Sequence, residues 1–142
     1  MIRKGTYVLF LSFIGDLDIS IGSLGHVHLD AGDYCYVGSA MNGLDQRLSR
    51  HLSPTKKIRW HIDNLTVRCD RMYAYEYEGE SLPECGLADL MLRIGGIPAA
   101  DGFGCSDCSC RTHLFRVDAD RTRHALDATG MVHFAVKRFN SP

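Results

Sequence analysis

The chain has 142 residues, 45% of them hydrophobic and 23% charged, a balance that suits one compact domain and excludes a disordered or low-complexity chain. Sixteen Lys and Arg against seventeen Asp and Glu leave a net charge of −1, too little for a protein that coats nucleic acid over its whole surface. The average hides a local exception: Arg47, Arg50, Lys56, Lys57 and Arg59 fall within residues 47–61 with no acidic neighbour, so that window carries +5 and the remainder −6.

No apolar run reaches the ~20 residues that span a bilayer, so no membrane association is expected. Arg3 and Lys4 before the apolar stretch Tyr7–Gly15 imitate a signal peptide, but the stretch leads into Asp16-Leu17-Asp18 without a small-x-small cleavage pattern and reads as a strand. Six cysteines (Cys35, Cys69, Cys85, Cys105, Cys108, Cys110) without an export signal read as reduced thiols or metal ligands, and the expected compartment is the cytoplasm.

Tyr7–Phe13 is rich in β-forming residues. Ile19–Ile21 and His26–Leu29 alternate around Gly22 and Gly25 as a small hairpin, and Tyr34–Val37 follows the turn at Asp30–Asp33 as another strand. A helix is expected next, capped by Asn42 with Asp45 as its capping-box partner. Its stripe is Leu44, Leu48 and Leu52, with His51 and Arg47 along one edge, and Pro54 closes it. Trp60–Leu65 predicts a short helix. Arg71–Glu78 alternates as a strand with Tyr73, Tyr75 and Tyr77 on one face. Ser81 is then expected to cap a third helix, with Glu84 at its third position and Leu87, Ala88 and Met91 inward, ending at Gly95-Gly96. Residues 101–110 form a Gly- and Cys-rich loop, and His113–Val117 and Met131–Arg138 read as closing strands. The predicted architecture is a small α/β (α+β) domain: one mainly antiparallel sheet flanked by about three helices, with an inserted N-terminal hairpin.

Two tripeptides, Gly5-Thr-Tyr7 and Tyr36-Val-Gly38, precede Arg47, His51 and a lone Glu84. This ordered set resembles the GIY-YIG nuclease superfamily, and more closely a mostly archaeal uncharacterised group within it that is sometimes fused to endonuclease III. That group's motifs are similar to YVGSA (36–40), WHID (60–63), ECGLA (84–88) and GFGCSDCSCRTHLF (102–115) here. The resemblance covers roughly residues 5–117, leaving 118–142 as a C-terminal extension of a single domain. It implies a GIY-YIG-like fold and hydrolysis of DNA phosphodiester bonds with Mg²⁺ or Mn²⁺, in repair or processing, with a DNA-repair protein as a further partner. Tyr7 and Tyr36 match the paired tyrosines that handle protons, Arg47 the phosphate-binding arginine, His51 a histidine that relays a proton or holds phosphate, and Glu84 the single metal-binding carboxylate. About thirty residues between the tripeptides is more than the superfamily usually has, and the hairpin accounts for the excess.

Each of these residues also has a structural reading: sheet packing for the tyrosines, a solvated charge for Arg47, helix-edge packing for His51 and a capping box for Glu84. Arg50, Lys56, Lys57, Arg59, Trp60 and His61 are candidate contacts to a nucleic-acid backbone or base, Trp60 also serving as a core anchor. Cys108, Cys110 and His113 have short spacing and ligand types that suit zinc, with Cys105 close by and Cys85 able to join if the loop folds back. The same loop reads first as a rigid polar wall of the cleft, with zinc binding and a redox or disulfide pair as the other readings. Three functions stay open: a metal-dependent endonuclease, an inactive nucleic-acid-binding module using the same cleft, and a zinc- or thiol-site protein.

Overall fold

The computed structural model describes residues 2–105 and 108–135. Its main sheet has six strands: β1 (Gly5–Phe13), β4 (Gly32–Ala40), β5 (Arg71–Glu78), β6 (Ile97–Pro98), β7 (Leu114–Arg116) and β8 (Val132–His133). They lie in the order β6-β7-β4-β1-β5-β8, and every pairing given for them is antiparallel. β2 (Leu17–Ile21) and β3 (Gly25–Leu29) form a separate two-stranded hairpin, as expected. Four α-helices among the described residues complete the α+β fold: α1 (Leu44–His51), α2 (Asp63–Thr66), α3 (Glu84–Arg93) and α4 (Ala119–Thr129).

The central strand β1 is buried on both faces, which explains why its composition is nearly continuous in apolar residues. Its odd positions, Tyr7, Leu9, Leu11 and Phe13, face Leu44 and Leu48 of α1, Leu65 of α2, the hairpin residues Ile21, Val27 and Leu29, and Phe103. Its even positions Val8 and Phe10 face Leu87, Ala88 and Met91 of α3 and Leu126 of α4. The sheet is therefore the middle layer between two cores. The hairpin packs on the Tyr7 side without entering the sheet, so the pairing of β1 with β4 is unaffected by it.

Helix starts differ from the sequence expectation. Gly43, at φ +133°, caps α1 instead of Asn42 and makes no side-chain hydrogen bond, while Asp45 accepts from Arg3 Nη2 at 2.5 Å. Pro83 caps α3, so Glu84 is its first residue rather than its third, and Ser81 Oγ pairs with Tyr77 Oη at 2.7 Å. Neither capping box forms. Helix α4 was not expected at all; Asp118 caps it by accepting from Arg121 N, and Gly130 ends it in the left-handed region at φ +92°. The expected strand Met131–Arg138 is seen as Val132–His133 beside β5, and residues 136–138 lie outside the described residues. No helix among the described residues is long and apolar enough to cross a membrane.

Candidate active site and metal centre

Antiparallel pairing brings the two tripeptides side by side: Tyr7 lies opposite Gly38, and Leu9 opposite Tyr36. Tyr7 and Tyr36 thus share one face of the sheet on adjacent strands. Both motif glycines have a steric reason. A Cβ on Gly38 would lie 2.4 Å from Tyr7 Oη, and one on Gly5 would lie 1.9 Å from the Tyr77 carbonyl oxygen. The glycine of each tripeptide is where another group crosses the strand at contact distance.

Tyr7, Tyr36, Arg47 and His51 line one cavity of about 460 Å³ together with Arg59, Trp60 and His61. Its remaining wall comes from Ile62, from Ser23 and Leu24 at the hairpin tip and from Gly102, Gly104 and Cys105 of the Cys-rich loop. Sequence reasoning did not single out those hairpin residues; the small Ser23 beside Gly22 and Gly25 was the only hint. Tyr7 Oη and His51 Nε2 lie 2.8 Å apart in a buried contact, and His51 Nδ1 is buried without a hydrogen-bond partner among the described residues. Burial, helped by the charges of Lys56 and Arg47, pushes the His51 imidazole down to about 3, so it is neutral at physiological pH. Burial pushes the Tyr7 phenol up to about 12, with Arg47 opposing. Tyr36 is raised for the same reason, further supported by Tyr7 and Glu84.

The Arg47 guanidinium donates from Nη1 to the Ser39 carbonyl at 3.1 Å and lies 4.5 Å from the Trp60 ring centre. No carboxylate pairs with it among the described residues. Arg50 lies 4.4 Å from the same ring but is otherwise engaged: it donates to both oxygens of Asp63, at 2.9 and 2.8 Å. Asp63 is fully buried and also accepts from the backbone N–H groups of Arg59 and Trp60. Against its burial, these donors hold Asp63 down to about 2. The WHID segment is therefore a clamp that fixes Trp60 over Arg47. Lys56 is turned inward too, donating to the His51 carbonyl at 2.5 Å and to Thr66 Oγ1 at 2.9 Å, and burial pushes it down to about 8. Lys57 and Arg59 are exposed, Arg59 at the cavity rim and Lys57 away from its lining.

Glu84 does not line the cavity, but its charge acts on both Tyr7 and Tyr36. The chain leading into α3 is tied to β1 by Thr6 Oγ1, which donates to the Leu82 carbonyl at 2.8 Å. With the capping box absent, the Glu84 carboxylate is not consumed by the helix end. Its neighbour is His113, whose Nδ1 lies 3.6 Å from Oε2 and whose imidazole is held below its usual range by burial.

His113 in turn belongs to a group able to hold a metal ion: Cys85, Cys108, Cys110 and His113 present ligand atoms all within 4.8 Å of one another. Cys108 Sγ and His113 Nε2 are 3.5 Å apart. The fold-back of the loop onto the start of α3 brings in Cys85, which completes a four-ligand set that sequence spacing alone left at three. Burial raises the Cys105 and Cys110 thiols to about 12, reinforced by the surrounding thiols. Cys108 moves down despite burial, because the Cys110 backbone N–H and neighbouring thiols donate to it. None of the six cysteines is in a disulfide.

No curated protein and no solved structure matches this chain. Its sequence does match the domain of unknown function DUF123 over residues 6–134, a span that includes every residue of the cavity and of the Cys/His group, and the chain therefore belongs to the DUF123 family.

Proposed function

We propose that this protein is a GIY-YIG-type endonuclease that hydrolyses DNA phosphodiester bonds with the help of Mg²⁺ or Mn²⁺. The observation that carries the reading is one cavity lined by Tyr7, Tyr36, Arg47 and His51, in which Arg47 has no carboxylate partner among the described residues. A guanidinium without a carboxylate, backed by an aromatic ring, is suited to a phosphate diester.

The residues fit a hard divalent cation. Glu84 offers one half-exposed carboxylate that no Lys or Arg neutralises among the described residues, and Mg²⁺ commonly takes one or two carboxylates plus water and phosphate oxygens. Bound there, the cation supplies charge compensation for the leaving oxygen. Arg47 holds the phosphate. Tyr7 and His51 form the proton path: the attacking water loses a proton to Tyr7 Oη as the tyrosine passes its own to His51 Nε2, while the water oxygen bonds phosphorus. The leaving oxygen is protonated by solvent. His51 is neutral before the transfer, and the negative charge that arrives with the phosphate would offset the burial and neighbouring cations that disfavour its protonated form. Arg59 and Trp60 at the rim suit contacts to the flanking backbone and an unstacked base, which favours damaged, branched or single-stranded DNA as substrate. A DNA-repair protein as partner rests on the family resemblance alone.

The Cys85, Cys108, Cys110 and His113 group is proposed to hold zinc, since three thiolates and one imidazole form a tetrahedral set of that metal's preferred ligands. Free thiols throughout favour a reducing compartment, the cytoplasm.

Cleavage of plasmid, single-stranded and branched DNA with Mg²⁺ or Mn²⁺ tests the activity, with Arg47→Ala and Glu84→Ala alongside. Metal-dependent nicking that falls at least ~100-fold in both variants supports it, as expected when a group stabilising transition-state charge is lost. Wild type that binds these DNAs but leaves all of them intact refutes cleavage in favour of a binding module.

A further inference from the structure

We propose that the Cys/His centre positions the catalytic carboxylate: zinc on His113 Nε2 fixes the proton on Nδ1, which then donates to Glu84 Oε2 and holds that side chain toward the tyrosines. The inference rests on Glu84 acting as proposed above. His113 is 1% exposed, and its Nδ1 is a buried polar atom with no hydrogen-bond partner among the described residues. Its two ring nitrogens face different neighbours, Nε2 toward Cys108 Sγ at 3.5 Å and Nδ1 toward Glu84 Oε2 at 3.6 Å. A metal on one imidazole nitrogen leaves the proton on the other, and a carboxylate there is the usual partner that orients a metal-bound histidine.

The chain fixes this relation from both ends. Glu84 and Cys85 are consecutive in the first turn of α3, so binding of Cys85 by metal also sets where Glu84 begins. His113 is held to the tyrosine strand, since its carbonyl accepts from Val37 N at 2.9 Å and its own N–H donates to the Phe103 carbonyl at 2.8 Å. Gly104, at φ +75°, packs so closely that a Cβ there would lie 3.0 Å from Tyr36 Cε1 and 3.2 Å from His113 Cβ. The metal group and the tyrosine cleft share a wall one residue thick.

Zinc affinity, read by competition with a chromophoric chelator under reducing conditions, is the measurement that needs no DNA. Wild type is expected to bind one zinc, and Glu84→Gln to bind it about 10–100-fold more weakly, with Glu84→Asp in between. Mn²⁺ affinity, read by electron paramagnetic resonance, is expected to fall at least ~10-fold in His113→Cys, which keeps four thiolate zinc ligands but removes the donor to Glu84. Equal zinc affinity of wild type and Glu84→Gln overturns the inference, as does a reduced protein that binds no zinc or a zinc-loaded His113→Cys with unchanged Mn²⁺ affinity. The outcomes separate from the nuclease test: a protein that cuts no DNA yet loses zinc affinity in Glu84→Gln keeps the Glu84–zinc link and discards hydrolysis, whereas Glu84-dependent cutting with unaltered zinc affinity does the reverse.

Discussion

Replacing Gly38 by alanine puts a methyl group 2.4 Å from Tyr7 Oη, 2.5 Å from Cζ and 2.9 Å from Cε1. Comfortable separations are ~3.5–4.0 Å, so the ring or the strand must move by about 1 Å. Tyr7 is 2% exposed and its hydroxyl is committed to His51 Nε2 at 2.8 Å, leaving no direction in which the ring moves freely. Overpacking of this kind costs about 1–3 kcal/mol, and losing the buried hydrogen bond adds about 1 kcal/mol. The expected loss of stability is about 2–4 kcal/mol, measured by urea unfolding. A 1 Å displacement of Tyr7 also predicts a loss of DNA cleavage approaching ~100-fold in whatever folded protein remains. The clash is with the ring, so Gly38→Ala should cost at least about 1 kcal/mol less when Tyr7→Leu is already present. A cost below about 0.5 kcal/mol in the native background, or an unchanged cost in the Tyr7→Leu background, refutes this account of the tripeptide.

Asp63→Asn leaves Arg50 half-paired in a buried clamp and should cost about 3–5 kcal/mol in thermal or urea unfolding. His51, held down to about 3 when folded against ~6.5 when unfolded, contributes stability that is full above about pH 6.5. As pH falls toward 3, the unfolded chain takes up the proton first, so this group's contribution declines by up to about 1.4 kcal/mol per pH unit. His51→Gln should flatten the measured pH dependence in that window, and an unchanged slope counts against a buried neutral imidazole. Trp60 is the only tryptophan and lies beside Arg47 and Arg50, so its fluorescence should respond to a short DNA oligonucleotide; the response should disappear in Arg47→Ala if that guanidinium holds the phosphate. Cys105→Ser should retain zinc, because Cys105 is outside the four-ligand group, whereas Cys85→Ser should lose most of its affinity, both read by metal analysis after reconstitution.

Strands β1, β4 and β5 were legible because burial on one or both faces leaves continuous or alternating apolar residues. The same held for the inward residues Leu87, Ala88 and Met91 of α3, all buried. Helix α4 was invisible because its buried residues are Thr122 and Leu126, too polar a stripe to show the period; Asp118 and Gly130 at its ends were the usable signals. The capping boxes failed for a different reason. Asp45 has a better partner in Arg3, far away in sequence, and Pro83 starts α3 two residues later than Ser81 would. Within the cleft, motif order picked out Tyr7, Tyr36, Arg47 and His51, which line one cavity. What the motif could not carry was the division of labour among the basic residues. Arg50 and Lys56 satisfy buried oxygens inside the fold, and only tertiary packing separates them from Arg47 and Arg59. Cys85 likewise lies 20 residues or more from the loop cysteines in sequence, and only the fold-back brings it to them.

The hairpin lies outside the sheet yet contributes Ser23 and Leu24 to the cavity wall, while β1 and β4 hold the tyrosines on their own pairing. Loop length between paired strands adds little entropy, roughly 0.6 kcal/mol for each doubling. Wall and floor are thereby uncoupled: lengthening, shortening or exchanging the tip reshapes the mouth of the cavity while the strand pairing that holds Tyr7 and Tyr36 stays as it is. On the proposed nuclease reading, chains of this architecture would diversify in what they admit while keeping one reaction, and a designer would have a place to cut outside the strands that carry Tyr7 and Tyr36.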